Sequence, residues 1–173
     1  MKIKIGLVAL LATINLFAVT VGEKPKNVVI SGENGGLVKE GKAWNSDMLK
    51  EKVYVMFYVD PDEKDVNEAF SQALKKKEYR KKGAFGSIAI VNLAATWKPN
   101  FIIESILKGK QKEFPKTIYV KDKHKVLVKE WAVGDDASNI LIFDKNGKLL
   151  FYKSGKMNEN DTQKAFQLIE ENL

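Results

Sequence analysis

The sequence predicts an α/β fold: a central mixed β-sheet flanked by helices, with a C-terminal β-hairpin and helix. Three observations predict it. Two runs, the continuously apolar VYVMFYV at 53–59 and the mostly apolar SIAIVNLAA at 87–95, read as buried strands. Each is followed by apolar residues at helical spacing, which implies parallel strands joined by crossover helices. Near the end, Asn146-Gly147 lies between two apolar runs, a strong signal for an antiparallel hairpin.

The chain begins with a short basic segment, Met1-Lys2-Ile3-Lys4. Ile5 to Val21 is then apolar apart from Gly6, Thr13, Asn15 and Thr20. This reads as an export signal over residues 1–22, followed by one domain over 23–173 and a periplasmic location. The run approaches the ~18–20 residues that span a bilayer, so an uncleaved anchor is the alternative. The interruptions at Asn15 and Thr20 favour cleavage. A domain of roughly 150 residues buries enough surface to fold without disulfides.

Asn27–Ser31 reads as a short β-rich stretch and Gly32–Gly36 as a glycine-rich turn. Asn45 or Ser46 caps a single helical turn that runs to Leu49. After the strand 53–59, residues 60–77 read as a helix. Asp60 stands at the N-cap, Pro61 at the first position and Glu63 three residues after the cap, with Val66, Ala69, Phe70, Ala73 and Leu74 as its buried stripe. Residues 78–86 read as a basic loop. After the second strand, Pro99 opens a helix carrying Phe101, Ile102, Ile103, Ile106 and Leu107, and Phe114-Pro115 ends that unit. Residues 117–120 and 126–131 are expected as two strands joined by the polar turn Asp122-Lys-His-Lys125. Gly134–Ser138 is a loop, 139–143 and 148–152 form the hairpin, and Asn160 or Asp161 caps a closing helix with Ala165, Phe166, Leu168 and Ile169 inside.

The chain has no cysteine and one histidine, and its 29 Lys+Arg against 22 Asp+Glu give a net charge of +7. Thiol–disulfide and cysteine-peroxidase chemistry are therefore excluded. The basic residues cluster at 75–82, 108–116 and 121–129. They lack interleaved aromatic residues for base stacking, and together with export this argues against nucleic acid. Membrane contact is expected only through an uncleaved signal or through surface charge. His124 alone makes neither a zinc site nor a catalytic triad, and there is no G-x-S-x-G and no phosphate-binding glycine loop.

Val133-Gly-Asp-Asp-Ala-Ser-Asn-Ile-Leu-Ile-Phe-Asp-Lys-Asn-Gly-Lys148 resembles the "V-x-G-x-P-T-x-F-L-I-D-x-D-G-K" signature of the thioredoxin-like superfamily, especially its peroxiredoxin and cytochrome-maturation branches. Trp44-Asn45-Ser46, Lys52-Val53, Glu63-Lys64, Ile90-Val91-Asn92, Trp131, Val133–Ser138 and Asp144–Gly147 resemble, in that order, the YtfJ family of exported bacterial proteins. The resemblance implies a thioredoxin-like fold whose redox cysteines would fall at Asp60–Asp65. Ala95-Thr96-Trp97-Lys98-Pro99 mimics a redox motif, but its register leaves too few elements after it. The proline that is cis in redox relatives falls at Ser138, so the Ala137–Ser138 bond is expected to be trans.

This fold places the start of the 60–77 helix beside the 134–138 loop. Asp60, Asp62, Asp135 and Asp136 are weak candidates for a metal, and Asp62, Glu63, Lys64, Asp65, Trp97, Asp135, Asp136, Ser138 and Asn139 are candidates for contact with a partner. Asp60-x-Asp62 opens like a calcium loop, but Lys64 and Asp65 break that motif. Trp44 and Trp131 are expected in core or loop-anchoring roles, and Trp97 is the tryptophan suspected of a partner contact. No cofactor is expected. The function expected is a redox-inactive binding, adaptor or chaperone-like module with a periplasmic protein or envelope component as partner. The alternative is a carboxylate- or metal-assisted enzyme at the same acidic cluster.

Overall fold

The computed structural model describes residues 18–173. The expected export signal lies outside the described residues except for its last five. Those already belong to the body: the Val19 N–H donates to the Trp131 carbonyl at 3.0 Å, and the Gly22 N–H donates to the Leu149 carbonyl at 2.8 Å.

In chain order the elements are β1 (Val29–Ile30), β2 (Gly35–Leu37), β3 (Trp44–Asn45), β4 (Val53–Val59), α1 (Glu68–Lys76), β5 (Phe85–Asn92), α2 (Asn100–Glu113), β6 (Thr117–Asp122), α3 (Val126–Trp131), β7 (Ser138–Phe143), β8 (Leu149–Ser154) and α4 (Glu159–Asn172). Six strands form one sheet in the order β2-β6-β5-β4-β7-β8, and β1 pairs separately with β3. β4 lies at the centre, parallel to β5 and antiparallel to β7. The mixed sheet expected from the sequence is therefore present.

Side-chain alternation divides the core. Tyr54, Met56 and Tyr58 of β4 point to one face with Ile88, Ile90 and Val120, and are covered by Trp44, Leu127 and Trp131. Val53 and Val55 point to the other face, under Phe70 and Leu74 of α1 and Ala165 and Ile169 of α4. Right-handed crossovers that step the same way along the sheet put α1 and α2 on this second face too. There Ile103 and Leu107 of α2 pack with Leu93 in a smaller cluster.

Five expectations are corrected. Residues 126–131 are helix α3, not a strand. The fully buried Asp122 carboxylate accepts the N–H groups of Val126 (2.9 Å) and Leu127 (3.1 Å), which satisfies the first turn. Helical spacing then buries Leu127 and Trp131 together, which outweighs the strand preference of Val126 and Val128. Residues 60–67 form a 3-10 turn (Pro61–Glu63) and further turns, so α1 starts only at Glu68 and buries Phe70 and Leu74 alone. The glycine-rich turn contains β2: a Cβ on Gly35 would lie 2.0 Å from the Lys121 carbonyl oxygen, so only glycine lets β2 approach β6 this closely. The second strand spans Phe85–Asn92, and Leu93–Ala95 is a 3-10 turn. The hairpin holds, with the Asp144 carboxylate accepting the N–H groups of Asn146 (2.8 Å) and Lys148 (2.9 Å). α4 is capped at Asn158, not at Asn160 or Asp161; Asp161 is the third residue of its capping box.

Candidate functional site

The carboxyl ends of β4 and β5 and the loop before β7 meet at one edge of the sheet, where ligands of open α/β sheets commonly bind. The chain leaves β4 at Asp60, so Asp60–Asp65 follows the central strand, and Thr96–Pro99 follows the strand beside it, β5. The two segments touch: Thr96 Oγ1 donates to Asp62 Oδ2 at 2.7 Å, and Lys98 Nζ pairs with Asp62 Oδ1. All peptide bonds among the described residues are trans, including Ala137–Ser138.

Each carboxylate here is already engaged. Asp60 is buried, and its carboxylate caps the Asp62 N–H at 2.8 Å. Burial pushes its pKa up, helped by the negative charges of Asp62 and Asp136. The hydrogen bonds from Lys98 and Thr96 hold the Asp62 pKa down. Burial works against the Asp135 carboxylate, but Lys125 (2.6 Å), the Asp136 N–H (3.0 Å) and Asn92 (3.1 Å) together hold its pKa down. Lys125 is shared with Asp136 at 3.6 Å. The expected acidic cluster is therefore split and neutralised by lysines. Among the described residues no group of three or more His, Asp or Glu is arranged to hold a metal ion, which corrects that expectation for Asp60, Asp62, Asp135 and Asp136.

Two of the partner candidates turn inward. Asn139 is 0 % exposed. Its amide donates to the carbonyls of Tyr58 (3.1 Å) and Gly134 (2.8 Å) and accepts the Gly134 N–H (3.0 Å) and the Tyr152 hydroxyl (3.2 Å). It pins the 134–138 loop to β4 and β8 and makes no outward contact, which corrects its expected role. The Ser138 hydroxyl is buried too and accepts Asn67 Nδ2 at 3.0 Å. Asn67 also donates to the Gly155 carbonyl (3.0 Å) and accepts the Met157 N–H (2.9 Å). Glu63 is half-buried, Lys64 and Asp65 are exposed, and Lys64 pairs with Asp65.

Trp44 and Trp131 are in the core, but Trp97 is 86 % exposed. While Ile103 and Leu107 of the following helix are buried, its Phe101, Ile102 and Ile106 are also exposed, at 73 %, 41 % and 53 %. They form an apolar patch on α2 with Trp97. Beside it a groove of about 450 Å³ runs between α1 and α2. Its floor is the second face of β4, β5 and β6: Phe57 and Val59, then Phe85, Ser87, Ala89 and Val91, then Thr117 and Tyr119. Small Ser87 and Ala89 leave the hollow at its centre. Ile106 borders both groove and patch, and Lys64, Lys75, Lys98 and Lys110 line the rim with Glu68.

Sequence reading did not find Asn67, Asn92, Asp122, Thr96, Lys98 or Lys125 as parts of this edge. They belong to long-range hydrogen bonds and carry no local motif. The groove did leave a trace: five apolar residues in about two turns of α2, together with Trp97, exceed what one buried stripe needs.

The family model described as "Bacterial protein of unknown function (YtfJ_HI0045)" matches residues 20–172. An uncharacterised protein of Haemophilus influenzae is 27 % identical over 146 residues, covering 79 % of this chain and 78 % of its own. The Escherichia coli protein YtfJ, also uncharacterised, is 24 % identical over 135 residues, covering 76 % and 73 %. Among solved structures, the thioredoxin domain of a thiol-disulfide oxidoreductase from Bacteroides vulgatus superposes with a TM-score of 0.58 at 13 % identity, over 87 % of this chain and 98 % of that one. The fold is thioredoxin-like.

Proposed function

The chain belongs to the YtfJ_HI0045 family, and from that premise we propose that it is a redox-inactive binding module of the periplasm that holds its ligand on the face carrying α1 and α2. One observation carries the reading: the groove between α1 and α2 is bordered by exposed Ile106, on the helix that also leaves Phe101 and Ile102 exposed. A contiguous exposed apolar surface around a concave site marks binding. With no thiol, the residues that stand at the former redox position serve structure. Asp60 caps, and Asp62 ties the loop to Thr96 and Lys98. An export signal at 1–22 would place this face in the periplasm, where an envelope component or another periplasmic protein is its partner.

The enzyme reading has less support. A carboxylate that works as acid or base needs free access to a substrate. Asp62 and Asp135 are held by lysines, and Asp60 is buried under its own cap.

A photo-crosslinking residue at Ile106, compared with one at the exposed Lys129 on α3 over the opposite face of the sheet, tests the proposal in living cells. A discrete adduct at Ile106, absent at Lys129 and lost when Ala89→Phe fills the groove floor, is the expected result. No adduct at Ile106 would remove the reading.

A further inference from the structure

We propose that the groove between α1 and α2 binds a single-chain anionic amphiphile, with its acyl chain laid along the sheet and its headgroup at the Lys75–Lys110 end. The inference rests on the binding-face reading above and names the ligand of that face.

The backbone excludes an extended peptide. The floor consists of β4, β5 and β6, and each of these strands is hydrogen-bonded to a neighbour on both sides. The groove therefore offers no free strand edge. A peptide laid in it would bury its own N–H and C=O groups without partners, a heavy cost that an acyl chain does not carry.

The dimensions suit a lipid tail. From Phe85 to Val91 the floor along β5 runs about 20 Å at the usual rise of a strand. One tail covers about 15 Å, half of a ~30 Å bilayer core. The floor is mostly apolar, and Ser87 and Ala89 give the depth that larger residues would remove.

The charge sets the polarity of the ligand and its direction. Lys64, Lys98 and Lys110 pair with Asp65, Asp62 and Glu113. Lys75, in the last turn of α1, pairs with no carboxylate among the described residues. Its ammonium lies 4.8 Å from the centre of the Phe114 ring, and the Lys110 ammonium lies 5.4 Å from that same ring centre. Two cations thus share one aromatic ring where α1 and α2 close the groove. A carboxylate or phosphate there meets Lys75 directly and competes with Glu113 for Lys110. The tail extends from that point toward Pro61 and Val59, and Ile106 lies along its flank.

The test is displacement of fluorescent dansyl-undecanoate from the purified full chain by palmitate and by hexadecanol, each below its micelle concentration. Palmitate is expected to displace the probe, and hexadecanol to bind about tenfold more weakly, the loss of one charge-assisted hydrogen bond. Lys75→Gln is expected to weaken palmitate about tenfold and leave hexadecanol unchanged. Ala89→Phe is expected to abolish binding of both. Ser71→Trp fills the groove from the half-exposed helix side, should Ala89→Phe fail to fold. Failure of the wild type to take up the probe would overturn the proposal. So would equal affinity for palmitate and hexadecanol, or binding that survives in a folded groove-filled variant. A discrete Ile106 adduct that Ala89→Phe removes, without palmitate binding, would overturn the acyl ligand and leave the binding face standing. Absence of both would remove both.

Discussion

Two helices of 14 residues lie on the same face of the sheet and use their apolar residues differently. α4 opens with a reciprocal capping box at Asn158 and Asp161. It buries Ala165 and Ile169 completely, and its Phe166 ring lies 5.4 Å from that of Phe70. None of its large apolar side chains is left exposed. α2 follows Pro99 without a side-chain cap, buries only Ile103 and Leu107, and leaves Phe101, Ile102 and Ile106 outside. The closing helix is spent on stability. The crossover helix carries more apolar surface than the fold consumes, beside a hollow that the fold does not fill. An apolar stripe thus reports burial only where another element arrives to cover it.

The comparison breaks most readily at Ile169. Ile169→Ala empties a fully buried position under α4 and is expected to cost roughly 3 kcal/mol, lowering the melting temperature by roughly 6–12 °C. Thermal unfolding followed by circular dichroism measures it. A loss below 1 kcal/mol would mean that α4 is no more essential to the core than α2.

The same contrast marks what was legible in the sequence. The central strands, both crossovers, the hairpin and α4 follow from periodicity and turn chemistry, which are local. α3 did not, because its identity rests on the buried carboxylate of Asp122, which also accepts the Tyr58 hydroxyl at 3.1 Å from 64 residues away. Read locally, Asp122-Lys-His-Lys125 is a polar turn between β-branched runs. At the candidate site the sequence placed the former redox position at Asp60–Asp65 and singled out Trp97. It grouped the carboxylates without their lysines, since Asp62–Lys98 and Asp135–Lys125 form only when separate loops converge. The groove was hidden because Ser87 and Ala89 look like ordinary strand residues until both neighbouring helices are in place.

A smaller effect sharpens the comparison at the helix entrances. Asp161, at the start of α4, is held below its usual pKa by the hydrogen bond from Lys153. Asp60, ahead of α1 on the groove side, is pushed above it by burial. A depressed carboxylate favours the fold above its unfolded pKa, and that contribution disappears as pH falls through the lower folded value. A raised one does the opposite: its ionisation opposes folding near neutrality, and its protonation relieves that cost on acidification. Asp161→Asn is therefore expected to flatten the loss of stability below about pH 4, and Asp60→Asn to remove the stabilisation that Asp60 protonation supplies above about pH 4 as pH falls from neutrality. Both changes are expected to be well under that of Ile169→Ala, and urea midpoints measured between pH 3 and pH 7 read them. Equal slopes in the two variants would show that the two ends do not differ electrostatically.

The smallest expected effect is the most informative. Phe101→Ser with Ile106→Ser removes two large apolar side chains from α2, yet both are more exposed than buried. Truncation at such surface positions changes stability within about 0.5 kcal/mol. If the melting temperature of the double variant stays near that of the wild type while palmitate displacement weakens, these side chains serve the groove and not the fold. If stability instead falls by several kcal/mol, α2 packs more tightly in solution than its exposure indicates, and the contrast with α4 disappears. A near-zero cost separates the two helices because Ile169, a residue of the same type as Ile106 on the same side of the sheet, is expected to cost roughly 3 kcal/mol.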